Sequence, residues 1–183
     1  MDLSDNDALQ RAAAGDQVAF GILYERYVTR IYNYIYYRTG QNAEAEDLTA
    51  KVFFKAYSHI GSYKNTGVPF SAWLYRIAHN LVANWHRDNS RSKVVPLEDE
   101  PQIVHKGDLP ETAVMKGQDS ESLLKVIRNL TSDRQQLLIL KFVDNLSNAE
   151  IAVIMGRSEG AIKSLYHRTL ANLKGELNAE DFE

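Results

Sequence analysis

The sequence predicts an all-α protein of two small helical domains joined by an extended linker. Apolar residues recur at three- and four-residue intervals on both sides of the middle of the chain, and no alternating strand pattern appears. Between these stretches, residues 90–120 hold three of the four prolines (Pro96, Pro101 and Pro110) with Gly107 and Gly117. Proline excludes a helix interior, and so long a run without periodicity is unusual inside one compact domain. The expected divisions are residues 1–90, a flexible linker at 91–119, and residues 120–183.

The first domain reads as four helices. A short one covers Asp5–Ala14 and stops at Gly15. The second, Gln17 to Arg38, carries Phe20, Leu23, Tyr24, Tyr27, Val28, Ile31, Tyr34 and Ile35 along one stripe. Six of the ten tyrosines lie between Tyr24 and Tyr37, where core packing explains them better than base stacking. Asn42 is the expected cap of the third helix, Ala43–Ile60, whose early Glu44, Glu46 and Asp47 suit the helix dipole. After the polar loop GSYKNTGVP, Ser71 opens a fourth helix to Asn89. Its expected buried stripe is Leu74, Ile77, Ala78, Leu81 and Trp85. Arg76, Asn80, Asn84 and Arg87 share the opposite face. Guanidinium groups pair with phosphate and amides read base edges, so this row suits nucleic acid, although a solvated helix face has the same look.

The second domain also reads as four helices: Glu121–Leu130, one following Thr131-Ser132-Asp133 to Val143, Asn148–Met155, and Glu159–Leu177. Ser147 with Glu150 three residues on forms a capping box. A short helix, the turn Gly156-Arg157-Ser158 and a longer helix read as a helix-turn-helix, whose second helix would enter the major groove, a reading favoured over a plain helical hairpin. Ile162, Leu165 (or Tyr166), Thr169 and Leu173 face inward; Lys163, Ser164, His167 and Arg168 face outward. The tail NAEDFE reads as frayed.

Charge and composition narrow the function. The formal net charge is only −3, yet Trp73–Lys93 carries Arg76, Arg87, Arg91 and Lys93 against Asp88 alone. Arg157, Lys163, Arg168 and Lys174 likewise stand against Glu159 alone. Two basic stripes on a neutral body suit a protein that touches a phosphate backbone at two places, and from charge alone they suit two solvated helix faces equally well. There is no cysteine, hence no disulfide, thiolate nucleophile or Cys-ligated metal. The histidines (His59, His79, His86, His105 and His167) complete no metal or catalytic motif, and no HExxH, Walker or GxGxxG pattern occurs. No enzyme activity, cofactor or metal is expected. Neither a signal peptide nor a membrane-spanning run is present, so the expected location is cytoplasmic, without membrane insertion.

The segments AEAEDLTAKVFFKAY (Ala43–Tyr57), FSAWLYRIAHNLVANWHR (Phe70–Arg87) and LSNAEIAVIMGRSEGAIKSLYHRTLANL (Leu146–Leu173), in this order, resemble the extracytoplasmic-function (group IV) sigma factors of the sigma-70 family. The resemblance implies a region 2-like bundle and a region 4-like helix-turn-helix, binding core RNA polymerase (its β′ and β subunits) and promoter DNA. Glu46, Asp47, Leu48 and Lys51 match the segment that docks on the clamp helices of β′. Tyr63, Lys64 and Asn65 of the loop, with Arg76, Asn80, Asn84 and Arg87, match the reader of the −10 element, where a base flipped from the melted strand is captured. Arg157, Ser158, Lys163, Ser164, His167 and Arg168 match the reader of the −35 element. An anti-sigma protein is an implied further partner. The chain departs from the family at Ala50 and Lys51, where a Gln and an acidic residue are usual, at Leu165 and Leu170 for Arg, at Asn84 for Asp, and at Ser132 and Asn145 for a proline and a glycine. The Ala50-Lys51 pair motivates an alternative, a sigma-like decoy that binds an anti-sigma protein without initiating transcription.

Overall fold

The computed structural model describes residues 3–64, 67–91 and 125–180; the expected linker and the start of the Glu121 helix lie outside them. The chain divides into two compact units. Among the described residues there is no strand, and no helix is long and apolar enough to cross a membrane.

The first unit is built from α1 (Asp5–Ala13), α2 (Gln17–Thr39), α3 (Asn42–His59), a 3₁₀ turn at Ile60–Ser62 and α4 (Phe70–Arg91). Ser4 caps α1 and Asp16 caps α2, its carboxylate accepting from the Val18 and Ala19 amides at 3.0 and 3.1 Å. Those bonds and the Arg11 guanidinium hold the Asp16 pKa below its ordinary value. Arg26 on α2 donates to Asp5 at 2.6 Å and the Tyr27 hydroxyl also donates to Asp5, so α1 is tied to α2. Burial, then the bond to Asp5, pushes the Tyr27 phenol upward in pKa.

The core joins Leu23, Ile31, Tyr34 and Ile35 of α2 to Leu48, Val52 and Phe53 of α3 and to Leu74, Tyr75, Ala78 and Val82 of α4. Tyr34 and Tyr75 meet edge-on with centroids 5.4 Å apart. Two expectations are corrected here. The buried stripe of α4 is rotated toward Tyr75 and Val82, leaving Ile77, Leu81 and Trp85 only half-buried. Asn42 is the first helical residue and not the cap; its side-chain oxygen accepts from Tyr32 at 2.9 Å, and Gln41 at the cap position makes no side-chain cap bond.

The second unit contains a helical turn at residues 125–129, then α5 (Ser132–Leu138), which continues as a π turn through Ile139–Val143, α6 (Asn148–Met155) and α7 (Glu159–Glu180). The π turn replaces the regular helix expected to Val143. Asn145 follows it at φ 52°, a left-handed conformation that asparagine tolerates. The helix end there closes by the Leu146 amide donating to the Leu140 carbonyl at 3.0 Å. Likewise α7 extends past Leu177 to Glu180, where a frayed tail was expected. Leu137, Leu140, Ile151, Ile162 and Thr169 are fully enclosed, with Leu165 and Leu173 nearly so. Leu165, not Tyr166, completes the inward set.

The expected capping box is present. The Glu150 amide donates to Ser147 Oγ at 3.2 Å and the Ser147 amide donates to the Glu150 carboxylate at 2.8 Å. Ser147→Ala is expected to lower the unfolding free energy by about 1 kcal/mol, read from the urea midpoint. A shift under about 0.3 kcal/mol would mean that the box is decorative.

Candidate polymerase and nucleic-acid interfaces

On α3, residues at i, i+3, i+4 and i+7 share a face. Asp47, Ala50, Lys51 and Phe54 therefore line one outward strip, and all four are exposed. Lys51 Nζ lies 2.6 Å from Asp47 Oδ2, and this bond raises the Lys51 pKa. The sign reversal read from the sequence is thus balanced within the helix, because Lys51 neutralises its own neighbour. Glu46 is exposed beside this strip. Leu48 is not a surface residue: at 4% exposure it packs in the core, which corrects its assignment as a docking side chain. It positions Asp47 by anchoring the helix. Phe54, absent from the residues singled out in the sequence, is 72% exposed and shares this helical face with Asp47 and Lys51.

On α4, Arg76, Asn80, Asn84 and Arg87 all lie on the exposed face, opposite the buried Leu74, Ala78 and Val82. Arg87 donates to the Asn84 side-chain oxygen at 3.0 Å, so the lower half of the row is held as a unit. Its guanidinium also sits 3.9 Å from Asp88, both well exposed, a weak pair that phosphate can displace. The loop ahead of α4 presents Lys64 to solvent. Tyr63 is half-buried: its hydroxyl donates to the Val68 carbonyl at 2.9 Å and its ring lies 5.0 Å from that of Trp73. Burial raises the Tyr63 pKa. Tyr63 therefore staples the loop as well as lining it. Asn65 lies outside the described residues.

Behind α4 is a polar cluster that the sequence reading did not find. Arg38, at the end of α2 and 2% exposed, donates to the Tyr34 hydroxyl at 2.9 Å, and its Nη1 lies 2.8 Å from His79 Nδ1. Arginine has no acceptor, so His79 Nδ1 must accept and the ring is the neutral Nε2–H tautomer. The cluster fixes the rotation of α4 about its axis, and with it the direction of the amide row.

On α7, Lys163, Ser164, His167 and Arg168 are exposed, opposite Ile162, Leu165, Thr169 and Leu173. Lys163 pairs loosely with Glu159 at 3.5 Å, and Arg168 Nε donates to the Ser164 carbonyl at 3.3 Å. Tyr166 packs sideways, its ring 6.2 Å from Phe142 and under Lys141 Nζ at 5.3 Å. Two turn residues have structural duties. Ser158 Oγ accepts from the Ala161 amide at 3.1 Å and caps α7, and Arg157 is ion-paired with Asp133 of α5. Gly156, at φ 64°, lets the chain reverse between α6 and α7. Of the two leucines that stand where Arg is usual in the family the sequence resembles, Leu165 is buried and Leu170 is 37% exposed.

These features meet known proteins at both ends of the chain. The family described as "Sigma-70 region 2" matches residues 23–92, and "Sigma-70, region 4" matches residues 120–173. The chain is 40% identical to the ECF RNA polymerase sigma factor BldN of Streptomyces coelicolor over 91% of its own length, spanning 63% of that relative. It is 31% identical to the ECF RNA polymerase sigma factor SigW of Bacillus subtilis, covering 97% of this chain and 98% of SigW. In fold it is similar to CnrH, solved in complex with the cytosolic domain of CnrY, at a TM-score of 0.72 and 20% identity over 96% of this chain and 97% of that one. It is similar also to the sigma factor RpoE of Bartonella quintana, solved with the anti-sigma factor NepR, at a TM-score of 0.66 and 23% identity over 87% and 96%. The chain belongs to the extracytoplasmic-function branch of the sigma-70 family of RNA polymerase sigma factors.

Proposed function

We propose that this sigma factor binds core RNA polymerase in the cytoplasm and brings it to promoters by reading two DNA elements at once. The observation that carries the reading is the pair of exposed rows on separate units: Arg76, Asn80, Asn84 and Arg87 on α4, and Lys163, Ser164, His167 and Arg168 on α7. Residues 1–90 would serve the core enzyme and the −10 element, 91–119 the connection, and 120–183 the −35 element. In the loop, Lys64 meets the phosphate backbone and Tyr63 receives an unstacked base, whose capture offsets the few kcal/mol of unstacking; Asn65, outside the described residues, is the further candidate of that loop. Arg157 and Ser158 set the entry of α7 into the major groove, and Arg157 reaches phosphate when Asp133 releases it.

On α3, Glu46 and Asp47 face the β′ subunit, and Leu48 holds them in place. Asp47→Ala strips the partner from Lys51 and leaves a bare cation where the family commonly has an acidic residue. Its affinity for core enzyme is expected to fall about 5- to 10-fold in a fluorescence titration. An unchanged affinity would remove α3 from the docking surface. An anti-sigma protein that covers the same α3 face is the expected regulator. Tight binding to such a protein, with no measurable affinity for core enzyme, would make the chain a sigma-like decoy. No catalytic step is assigned to the chain: polymerisation belongs to the core enzyme.

A further inference from the structure

The outward strip of α3 has an unusual composition for a solvated face. Its one close charge pair, Asp47–Lys51, is closed on itself at 2.6 Å. One turn beyond Lys51 stands Phe54, 72% exposed, with Tyr57 beside it at 44%. The other aromatic residue of α3, Phe53, is buried at 4% and meets Tyr24 edge-on at 4.8 Å, so Phe54 is not needed to fill the core. Tyr57 leans on Phe20 of α2, centroids 4.9 Å apart, which fixes it as a rigid margin to the patch. An isolated exposed apolar side chain needs no explanation, but an aromatic that continues a docking strip and adjoins a second aromatic has the form of a binding anchor.

We propose that α3 grips core RNA polymerase through Phe54 as an apolar anchor, with the Asp47–Lys51 pair as a charge-balanced shoulder beside it. This rests on the reading of α3 as the docking helix and names what does the gripping. The core enzyme is the occupant because Phe54 continues the strip that begins at Asp47. A cationic counter-surface suited to the family's usual acidic residue would be repelled by a lone Lys51, so the internal pair makes contact there neutral. Affinity then has to come from desolvating the aromatic ring. Truncating a desolvated interface aromatic removes a large share of the binding energy, whereas removing both members of a self-neutralised pair removes little.

The test titrates full-length chain against core enzyme for four variants, with thermal unfolding of each as the fold control. Phe54→Ser is expected to raise the dissociation constant about 30-fold and Phe54→Leu, which keeps apolar bulk, by less than about 3-fold. Asp47→Ala is expected to cost about 5- to 10-fold, and Asp47→Ala with Lys51→Ala to return to within about 3-fold of the parent, since the bare cation is gone. Exposure of Phe54 means that its unfolding midpoint should not move. If Asp47→Ala weakens binding but Phe54→Ser does not, the anchor is wrong and the docking helix stands. If neither matters, the docking reading itself falls. Loss confined to an anti-sigma protein, or to self-association of the chain in sedimentation, with core affinity intact, would also overturn the anchor.

Discussion

Replacing Lys163 and Arg168 together by alanine is expected to cut affinity of the holoenzyme for −35-bearing duplex by about 30-fold to 10⁴-fold, because each good base or phosphate contact contributes about 1–3 kcal/mol. Both side chains are exposed, so the fold does not depend on them. They border the outward face of α7, with Ser164 and His167 between them, opposite a core of Ile162, Leu165, Thr169 and Leu173. The contacts that now hold them are weak. Lys163 to Glu159 spans 3.5 Å with both side chains more than half exposed, and such pairs hold a lysine by less than about 1 kcal/mol. DNA phosphate can therefore compete for it. The two cations should also dominate the salt dependence: the double variant loses about two phosphate neutralisations from the slope of log affinity against log salt. Titration of labelled promoter duplex at several salt concentrations reads both effects. An unchanged affinity and slope would take α7 out of the groove.

Arg38→Ala is expected to have the largest effect on stability in the first unit, about 3 kcal/mol, although a basic residue at a helix end would ordinarily be dismissed as surface. Arg38 is 2% exposed, donates to the Tyr34 hydroxyl at 2.9 Å, has Nη1 2.8 Å from His79 Nδ1, and stacks its guanidinium 5.6 Å from the Tyr34 ring centre. The substitution opens a cavity and strips the guanidinium from a buried hydroxyl and imidazole. Because His79 belongs to α4, the change reaches the DNA face: the helix loses the restraint that aims Asn80 and Asn84. Arg38→Lys should recover little, since the lysine ammonium ends one bond short of the Nη1 that bonds both partners and has no flat face to set against the Tyr34 ring. Urea unfolding of the first unit gives the stability, and permanganate reactivity of unpaired thymines at the −10 element gives the consequence. A loss below about 1 kcal/mol with normal melting would show the cluster to be incidental.

What the residues revealed in advance follows from how local the signal was. The inward set Ile162, Leu165, Thr169 and Leu173 is legible because a helix packed on one side repeats its apolar residues with its own period. The Ser147–Glu150 box is legible because it closes within three residues. The outward row on α4 was also placed correctly, yet the stripe behind it was not. Tyr75, with its hydroxyl, is less apolar than Ile77 or Leu81, yet it is buried by its edge-on contact with Tyr34, a partner 41 residues away, and Val82 is buried with it. Arg38 escaped for a related reason: its bond to the Tyr34 hydroxyl is local, but the contact with His79 comes from α4, 41 residues along the chain. Leu48 was legible as part of a motif, but its motif role and its burial are different facts; the motif marks the helix, and Asp47 and Phe54 present its surface.

The proposed reading of DNA by α4 and α7, on separate units, implies that transcripts made with this sigma factor begin downstream of two sequence elements held at one spacing. Mapping RNA 5′ ends produced by core polymerase on its own genomic DNA, with and without the chain, reads that directly. The expected result is a new set of start sites sharing a −35 and a −10 element at near-constant separation, lost with Asn80→Ala and Asn84→Ala together and lost again with the Lys163 and Arg168 pair. Start sites identical to those of the core enzyme alone would contradict promoter reading by this protein.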